Sequence, residues 1–149
     1  VSSNDEPGVD LATRLGYLLK HAQLRMDELT AAALRPYGIN GRELAVMLVL
    51  ATGEPASQQQ AAQRLGVDRT TMVALLDALE TKELVSRHPH EEDRRRNVVE
   101  LTEAGRETLR LATAASDEAE RKLLEPLGSR VDAQHLRNAL RTIVVRPET

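Results

Sequence analysis

Apolar residues fall at Leu11, Leu15, Leu18, Ala22, Met26, Leu29 and Ala33, always three or four positions apart. At about 100° per residue this spacing lines one helical face, so it predicts a long amphipathic helix starting at Asp10. Pro36 and Gly38, in "RPYG", end it, because neither residue propagates a helix. The residues before it, "VSSNDEPGV", are polar with Pro and Gly and predict a flexible arm over positions 1–9. Leu44 and the unbroken run from Val46 to Leu50 predict a short buried helix, with Asn40 placed as its N-cap and "TGEP" closing it.

The next stretch, "SQQQAAQRLGVDRTTMVALLDALETKELVSR", changes rhythm. Ser57 with Gln60 three residues on forms a capping-box pattern. Ala61, Ala62 and Leu65 make the buried side of that helix, and Gly66 stops it. Only "GVD" precedes a second helix, capped by Asp68 and running from Arg69 to about Lys82. Two short helices joined by a tight turn containing Gly is a helix-turn-helix pattern. "KELVSRH" and "NVVEL" follow as two short strands around the turn "PHEEDRRR", a hairpin in the position of a wing. A further helix starts at Thr102, with Leu109, Ala112, Ala115, Ala119 and Leu123 on its apolar side, and ends at Pro126. Asp132 is placed to cap a last helix that turns Leu136, Ala139, Leu140 and Ile143 inward.

Composition narrows what such a chain does. At 149 residues and 41% apolar, it is one domain with a core of its own. There is no Phe or Trp and there are only two Tyr, so stacking platforms for single-stranded nucleic acid are missing. Without cysteine, disulfides, thiol switches and Cys-ligated zinc are excluded. No apolar run approaches the roughly eighteen residues of a membrane span, and no signal-peptide core opens the chain. A cytoplasmic, non-membrane protein is expected.

The net charge of −3 counts mildly against a nucleic-acid partner. Between positions 57 and 105, seven basic residues face nine acidic ones. Any DNA contact must therefore be local and geometric. The second helix of the pair suits one. Met72, Leu75, Leu76 and Leu79 lie on one side, leaving Thr70, Ala74, Asp77 and Thr81 opposite, with Thr71 and Val73 flanking. Its N-terminal half thus presents small, hydroxylic or methyl groups, which fit base edges and thymine methyls in a major groove. Arg69, in the first turn, is placed to meet a phosphate.

In the hairpin turn, Arg94, Arg95 and Arg96 directly follow Glu91, Glu92 and Asp93. Such a cluster is either a solvated loop or a wing tip whose arginine enters the adjacent minor groove. In the second case Asp93 holds the Arg95 guanidinium in a bidentate pair and sets its direction. His88 and His90, with Glu91 and Glu92, have metal-binding spacing but no closing ligand, and a solvated loop is the better reading. No metal and no cofactor are expected. Tyr17 and His21, one helical turn apart, are either structural or the lining of a ligand pocket. No catalytic motif is present: no Gly-rich phosphate loop, no His-Glu-x-x-His and no Ser/His/Asp grouping. An enzyme is not expected.

The chain resembles the MarR family of bacterial transcriptional regulators from about Asp10 to Val145. The most specific stretch is "VDRTTMVALLDALETKELVSRHPHEEDRRRNVVELTEAG". It is similar to the family's recognition helix, its Leu-Val-x-Arg strand (Leu84, Val85, Arg87), its Asp-x-Arg wing (Asp93, Arg95) and its Leu-Thr-x-x-Gly helix start (Leu101, Thr102, Gly105). One departure is Ala74, where the family often carries a basic residue.

The resemblance implies an obligate homodimer formed by the first and last two helices, presenting two winged modules to one pseudo-palindromic duplex. It also implies repression relieved by a small aromatic or phenolic anion. Lacking cysteine, the chain falls outside the family's peroxide-sensing branch.

The expected fold is mainly α with a small β-hairpin wing: a winged helix-turn-helix module flanked by N- and C-terminal dimerisation helices. Positions 10–145 form one domain, with the winged region at 40–102 and dimerisation helices at 10–36 and 103–145. The expected function is a ligand-responsive, sequence-specific repressor of transcription, binding double-stranded DNA. A winged-helix protein-interaction module that does not bind DNA is the alternative, favoured by the acidic balance. The residues expected at DNA are Arg69, Thr70, Thr71, Val73, Ala74, Asp93, Arg94, Arg95 and Arg96. Tyr17 and His21 are those expected at the effector.

Overall fold

In a computed structural model of the chain, residues 9–52, 56–95 and 97–145 are described. Most of the expected arm (1–8), part of "TGEP" (53–55) and Arg96 lie outside the described residues. The described chain is mainly helical with a small antiparallel sheet, as the periodicities predict. It divides into two compact units, one spanning Thr30–Asp117 and one drawn from Val1–Leu29 and Glu118–Thr149.

The first of these units holds the winged helix-turn-helix. The helix α3 (Gly41–Leu50) starts from a capping box. The Asn40 side chain accepts the Glu43 N–H at 2.9 Å, while the Glu43 carboxylate accepts the Asn40 N–H at 3.0 Å. A two-residue strand β1 (Ala56–Ser57) leads into α4 (Gln58–Leu65), whose N-cap Ser57 forms the predicted box with Gln60. Gly66 ends α4 in the left-handed region, at φ 74°, a conformation Gly adopts without steric cost. Asp68 caps α5 (Arg69–Thr81), accepting the Thr71 N–H at 2.7 Å.

The hairpin strands are β2 (Val85–Pro89) and β3 (Asn97–Leu101), in register from Val85 opposite Leu101 to Pro89 opposite Asn97. β1 adds to the free edge of β3, Ala56 opposite Val99 and Ser57 opposite Val98, giving the order β1-β3-β2. This third strand is not legible in the sequence, because two residues, the second of them a helix cap, carry no alternation.

Leu34, Val46, Met47, Met72, Leu76, Leu79 and Val99 are fully buried and, with Ala61 and Ala62 of α4, join the two helices of the motif to α3 and the sheet. Each such side chain contributes about 1.5–3 kcal/mol of burial, so the aliphatic core substitutes for the missing aromatics. Among them sits one buried acid. Glu43, 3% exposed, receives Lys82 Nζ at 2.7 Å in addition to the Asn40 N–H. A buried carboxylate is tolerated only when paired and hydrogen-bonded, and both conditions are met here. The pair also ties the start of α3 to the C-cap of α5.

The long first helix starts at Val9 and is interrupted at Arg14, giving α1 (Val9–Thr13) and α2 (Leu15–Leu34). At the break the Thr13 hydroxyl donates to the Asp10 carbonyl and the Arg14 N–H turns to Leu11, three residues back. Such side-chain bonding to the preceding turn competes with regular helix hydrogen bonds. A 3-10 turn at Arg35–Tyr37 and left-handed Gly38 end α2 at the predicted place.

The helix α6 (Glu103–Leu124) begins after Thr102, whose hydroxyl accepts the Gly105 N–H at 3.0 Å. The last helix, α7 (Arg130–Val144), corrects two expectations. Its cap is Ser129 and not Asp132, since the Asp132 N–H donates to the Ser129 hydroxyl at 3.1 Å. Asp132 stands at the third helical position, where an acid favours the helix dipole. Leu136, Ala139, Leu140 and Ile143 are exposed in the single chain and not inward, as are Leu11, Leu15 and Leu18. The periodicity correctly marks an apolar stripe, but it cannot tell a stripe facing the chain's own core from one left bare. No described helix is long and apolar enough to cross a membrane.

Candidate nucleic-acid interface

The three residues Gly66, Val67 and Asp68 set α5 against α4, burying Met72, Leu76 and Leu79 and leaving the opposite side to solvent. Arg69, Thr70 and Ala74 are exposed on that side, and Thr71 and Val73 are half-buried at its edges. Hydrogen bonding from Thr71 holds the Asp68 carboxyl below the usual aspartate range, so the cap stays ionised. Among the described residues Arg69 has no acidic partner.

Beside this helix, the wing tip folds on its own side chains. The Asp93 carboxylate accepts the Arg95 backbone N–H at 3.1 Å and lies 3.4 Å from Arg95 Nε, both through the same oxygen. The pair is thus one-oxygen and not bidentate. Asp93 spends its best hydrogen bond on the turn, and the Arg95 guanidinium remains 93% exposed. Arg94 is exposed as well; Arg96 lies outside the described residues.

The two histidines of the tip do not converge. His88 Nε2 lies 3.0 Å from Glu100 across the hairpin, whereas His90 Nδ1 accepts backbone N–H groups of the turn. No three metal-binding side chains gather among the described residues.

Between wing and helices runs a concavity of about 540 Å³ that sequence reasoning did not find. Gln59 and Gln63 of α4 line one wall, Arg69 the start of α5, and Arg95 and Asn97 the wing side. The walls therefore present amide and guanidinium donors. The signal in the sequence was the pair Gln59 and Gln63, one helical turn apart on the polar side of α4.

Also unforeseen was the role of Arg87. From β2 its guanidinium reaches both oxygens of Glu80 (Nε at 3.1 Å, Nη2 at 3.2 Å), Gln58 at 3.0 Å, and Asp77 in a short contact. Hydrogen bonding to Glu80, more than to Asp77, holds Arg87 firmly protonated, and the same bonds hold the Glu80 carboxyl below its usual range. One side chain thus joins β2, α4 and α5, and neutralises two acids on α5. Asp77 and Glu80, three residues apart on one helix with an arginine on the next strand, were the available sign.

Residues 37–96 match the sequence model of the MarR family. The whole fold superposes on the transcriptional repressor CouR bound to a 23-mer DNA duplex, at a TM-score of 0.87. The two are 35% identical over 94% of this chain and 99% of CouR. The chain belongs to the MarR family.

Other relatives agree with that membership. A second structure of CouR, bound to p-coumaroyl-CoA, is 32% identical with a TM-score of 0.82, covering 95% of this chain and 99% of that one. The HTH-type transcriptional repressor NicR of Pseudomonas putida is 28% identical over 101 residues, 68% of this chain. That match spans 64% of NicR, just under two thirds of its length. Within the MarR family fold, α4 and α5 are the helix-turn-helix, and β2 and β3 the wing.

Proposed function

We propose that this MarR family protein is a ligand-responsive repressor, cytoplasmic and without a catalytic step, that binds a pseudo-palindromic duplex as a homodimer. The observation carrying this reading is the shared concavity, which brings the exposed Arg95 of the wing and the exposed start of α5 to one surface. Thr70, Thr71, Val73 and Ala74 read base edges and methyl groups in the major groove. Arg69, Arg94 and Arg96 meet phosphates, with Gln59, Gln63 and Asn97 as neutral donors along the same strand. Arg95 enters the minor groove. Asp93 acts by folding the tip beneath it.

The homodimer is supported by the bare stripes, Leu15 being 63% and Ile143 62% exposed in the single chain. Exposed apolar faces of this extent mark association surfaces. For the effector, CouR carries p-coumaroyl-CoA, a phenolic acyl group on a polyanion. That supports a phenolic or aromatic anion here. Tyr17 and His21, in tilted contact at 4.2 Å between ring centroids, are the side chains assigned to its aromatic part.

The test is a set of fluorescence-anisotropy titrations on one duplex, selected by the wild-type protein from a random-sequence pool, with dimer mass checked for each variant. Arg95→Ala weakens binding by about 1–3 kcal/mol, the range of a lost groove contact. Asp93→Ala weakens it less, and the double variant is little worse than Arg95→Ala, because both act through one geometry. Wild-type binding by Arg95→Ala would reduce the wing to a solvated turn.

A further inference from the structure

The wing tip contains a hydrogen-bond arrangement that neither the family fold nor the groove contacts require. His90, half-buried at the end of β2, accepts the Glu92 N–H at 3.0 Å and the Asp93 N–H at 3.3 Å, both on Nδ1. Asp93 in turn accepts the Arg95 N–H. The imidazole therefore anchors the residue that anchors the arginine. An aspartate or asparagine folding its own turn accepts N–H groups at the same sequence distance. His90 does so with a ring nitrogen instead of a carbonyl.

That substitution has a chemical consequence. A nitrogen accepting two N–H groups carries no proton, so these two contacts require an unprotonated Nδ1. Imidazolium bears N–H on both nitrogens, and a proton on Nδ1 would point at two backbone donors. The turn cannot persist in that form.

We propose that His90 is a positioning residue for DNA binding, whose neutral imidazole folds the wing tip and whose protonation releases Asp93 and Arg95 from their DNA-binding arrangement. The inference rests on Arg95 entering the duplex. Imidazole is the side chain that ordinarily changes charge between about pH 5 and 8.

The charged groups of the tip, beside the ring in sequence, are the acids Glu91, Glu92 and Asp93 and the bases Arg94 and Arg95. On the strands the remaining titrating group is His88, paired with Glu100.

The experiment titrates the selected duplex with wild type, His90→Asn, His90→Ala and Arg95→Ala at pH 8 and pH 6, at constant salt. Asparagine keeps the acceptor and cannot titrate; alanine removes it. At pH 8, His90→Ala binds about 3- to 10-fold more weakly, the value of lost turn hydrogen bonds, while His90→Asn stays within about 2-fold of wild type. From pH 8 to pH 6, wild type loses about 2- to 4-fold in affinity beyond any loss by His90→Asn.

If Arg95→Ala is weakened while His90→Ala binds like wild type, or if the wild-type and His90→Asn pH profiles superimpose, His90 has no positioning role. If Arg95→Ala itself binds like wild type, the groove reading fails and this one fails with it. The two failures are told apart by that single variant.

Discussion

Gly105→Ala destabilises the protein by about 3 kcal/mol or more, the upper range for forcing an atom into packed structure. A Cβ at position 105 would stand 2.0 Å from the Leu84 carbonyl oxygen, 3.0 Å from its carbon and 3.4 Å from Leu101 Cδ2. The oxygen is backbone and already accepts the Thr102 N–H at 3.0 Å, so it has little freedom to retreat. Moving it displaces the residue that leads into β2. Elsewhere in a helix, replacing Gly by Ala stabilises by about 1 kcal/mol, so here even the sign is diagnostic. Gly66→Ala is the control. Its added Cβ meets open space, and only the left-handed φ of 74° opposes it, at about 1–2 kcal/mol. Denaturant unfolding of the three proteins at equal concentration measures both effects. A stabilised Gly105→Ala would mean that α6 does not pack against Leu84 as described.

Arg87→Ala weakens duplex binding by about 10- to 100-fold, the scale of 1.5–3 kcal/mol for hydrogen bonds to charged groups. Two losses combine. The tie between β2, α4 and α5 is cut, so the wing and recognition helix no longer hold one relative geometry. Asp77 and Glu80 also become uncompensated carboxylates on a helix that approaches phosphates.

Arg87→Lys restores only part of the affinity, since an ammonium cannot reproduce the fork on Glu80 while also reaching Gln58 and Asp77. Adding Asp77→Asn and Glu80→Gln to Arg87→Ala recovers the electrostatic share alone. The acid side of the pair also fixes its pH range. Because the folded Glu80 carboxyl is held below the ordinary 4.5, its contribution is complete above that value and is lost as pH falls through the folded one. Neutral and mildly acidic titrations therefore leave it intact. Wild-type affinity in Arg87→Ala, by anisotropy, would contradict the clamp.

Local rules made much of the fold legible. The boundaries of α3, α4 and α5 were encoded by Asn40, Ser57, Gly66 and Asp68, residues whose side-chain or backbone chemistry acts within a few positions. The hairpin was visible because charged turn residues separate two apolar runs. What escaped was non-local or ambiguous. β1 exists only through β3, and Arg87 meets its partners across 7 to 29 positions of sequence.

Sequence cannot choose between Ser129 and Asp132, both good caps three residues apart; the chain's exit from the 3-10 turn Glu125–Leu127 selects Ser129. The stripe of α7 was read as inward because periodicity reports a face and not what covers it. At the wing, the spacing of Asp93 and Arg95 predicted their pairing. The single shared oxygen and the His90 contacts depend on turn geometry that spacing does not specify.

The central claim is that a chain of net charge −3 binds duplex DNA through a few placed cations and not a basic field. Its most direct test is the wild-type affinity for the selected duplex as a function of salt concentration. Arg69, Arg94 and Arg96 from each of two protomers amount to about six phosphate contacts, and each releases roughly 0.9 counterion. The account predicts a log–log slope of about −5; a slope near zero, or no duplex bound at any salt, would contradict it.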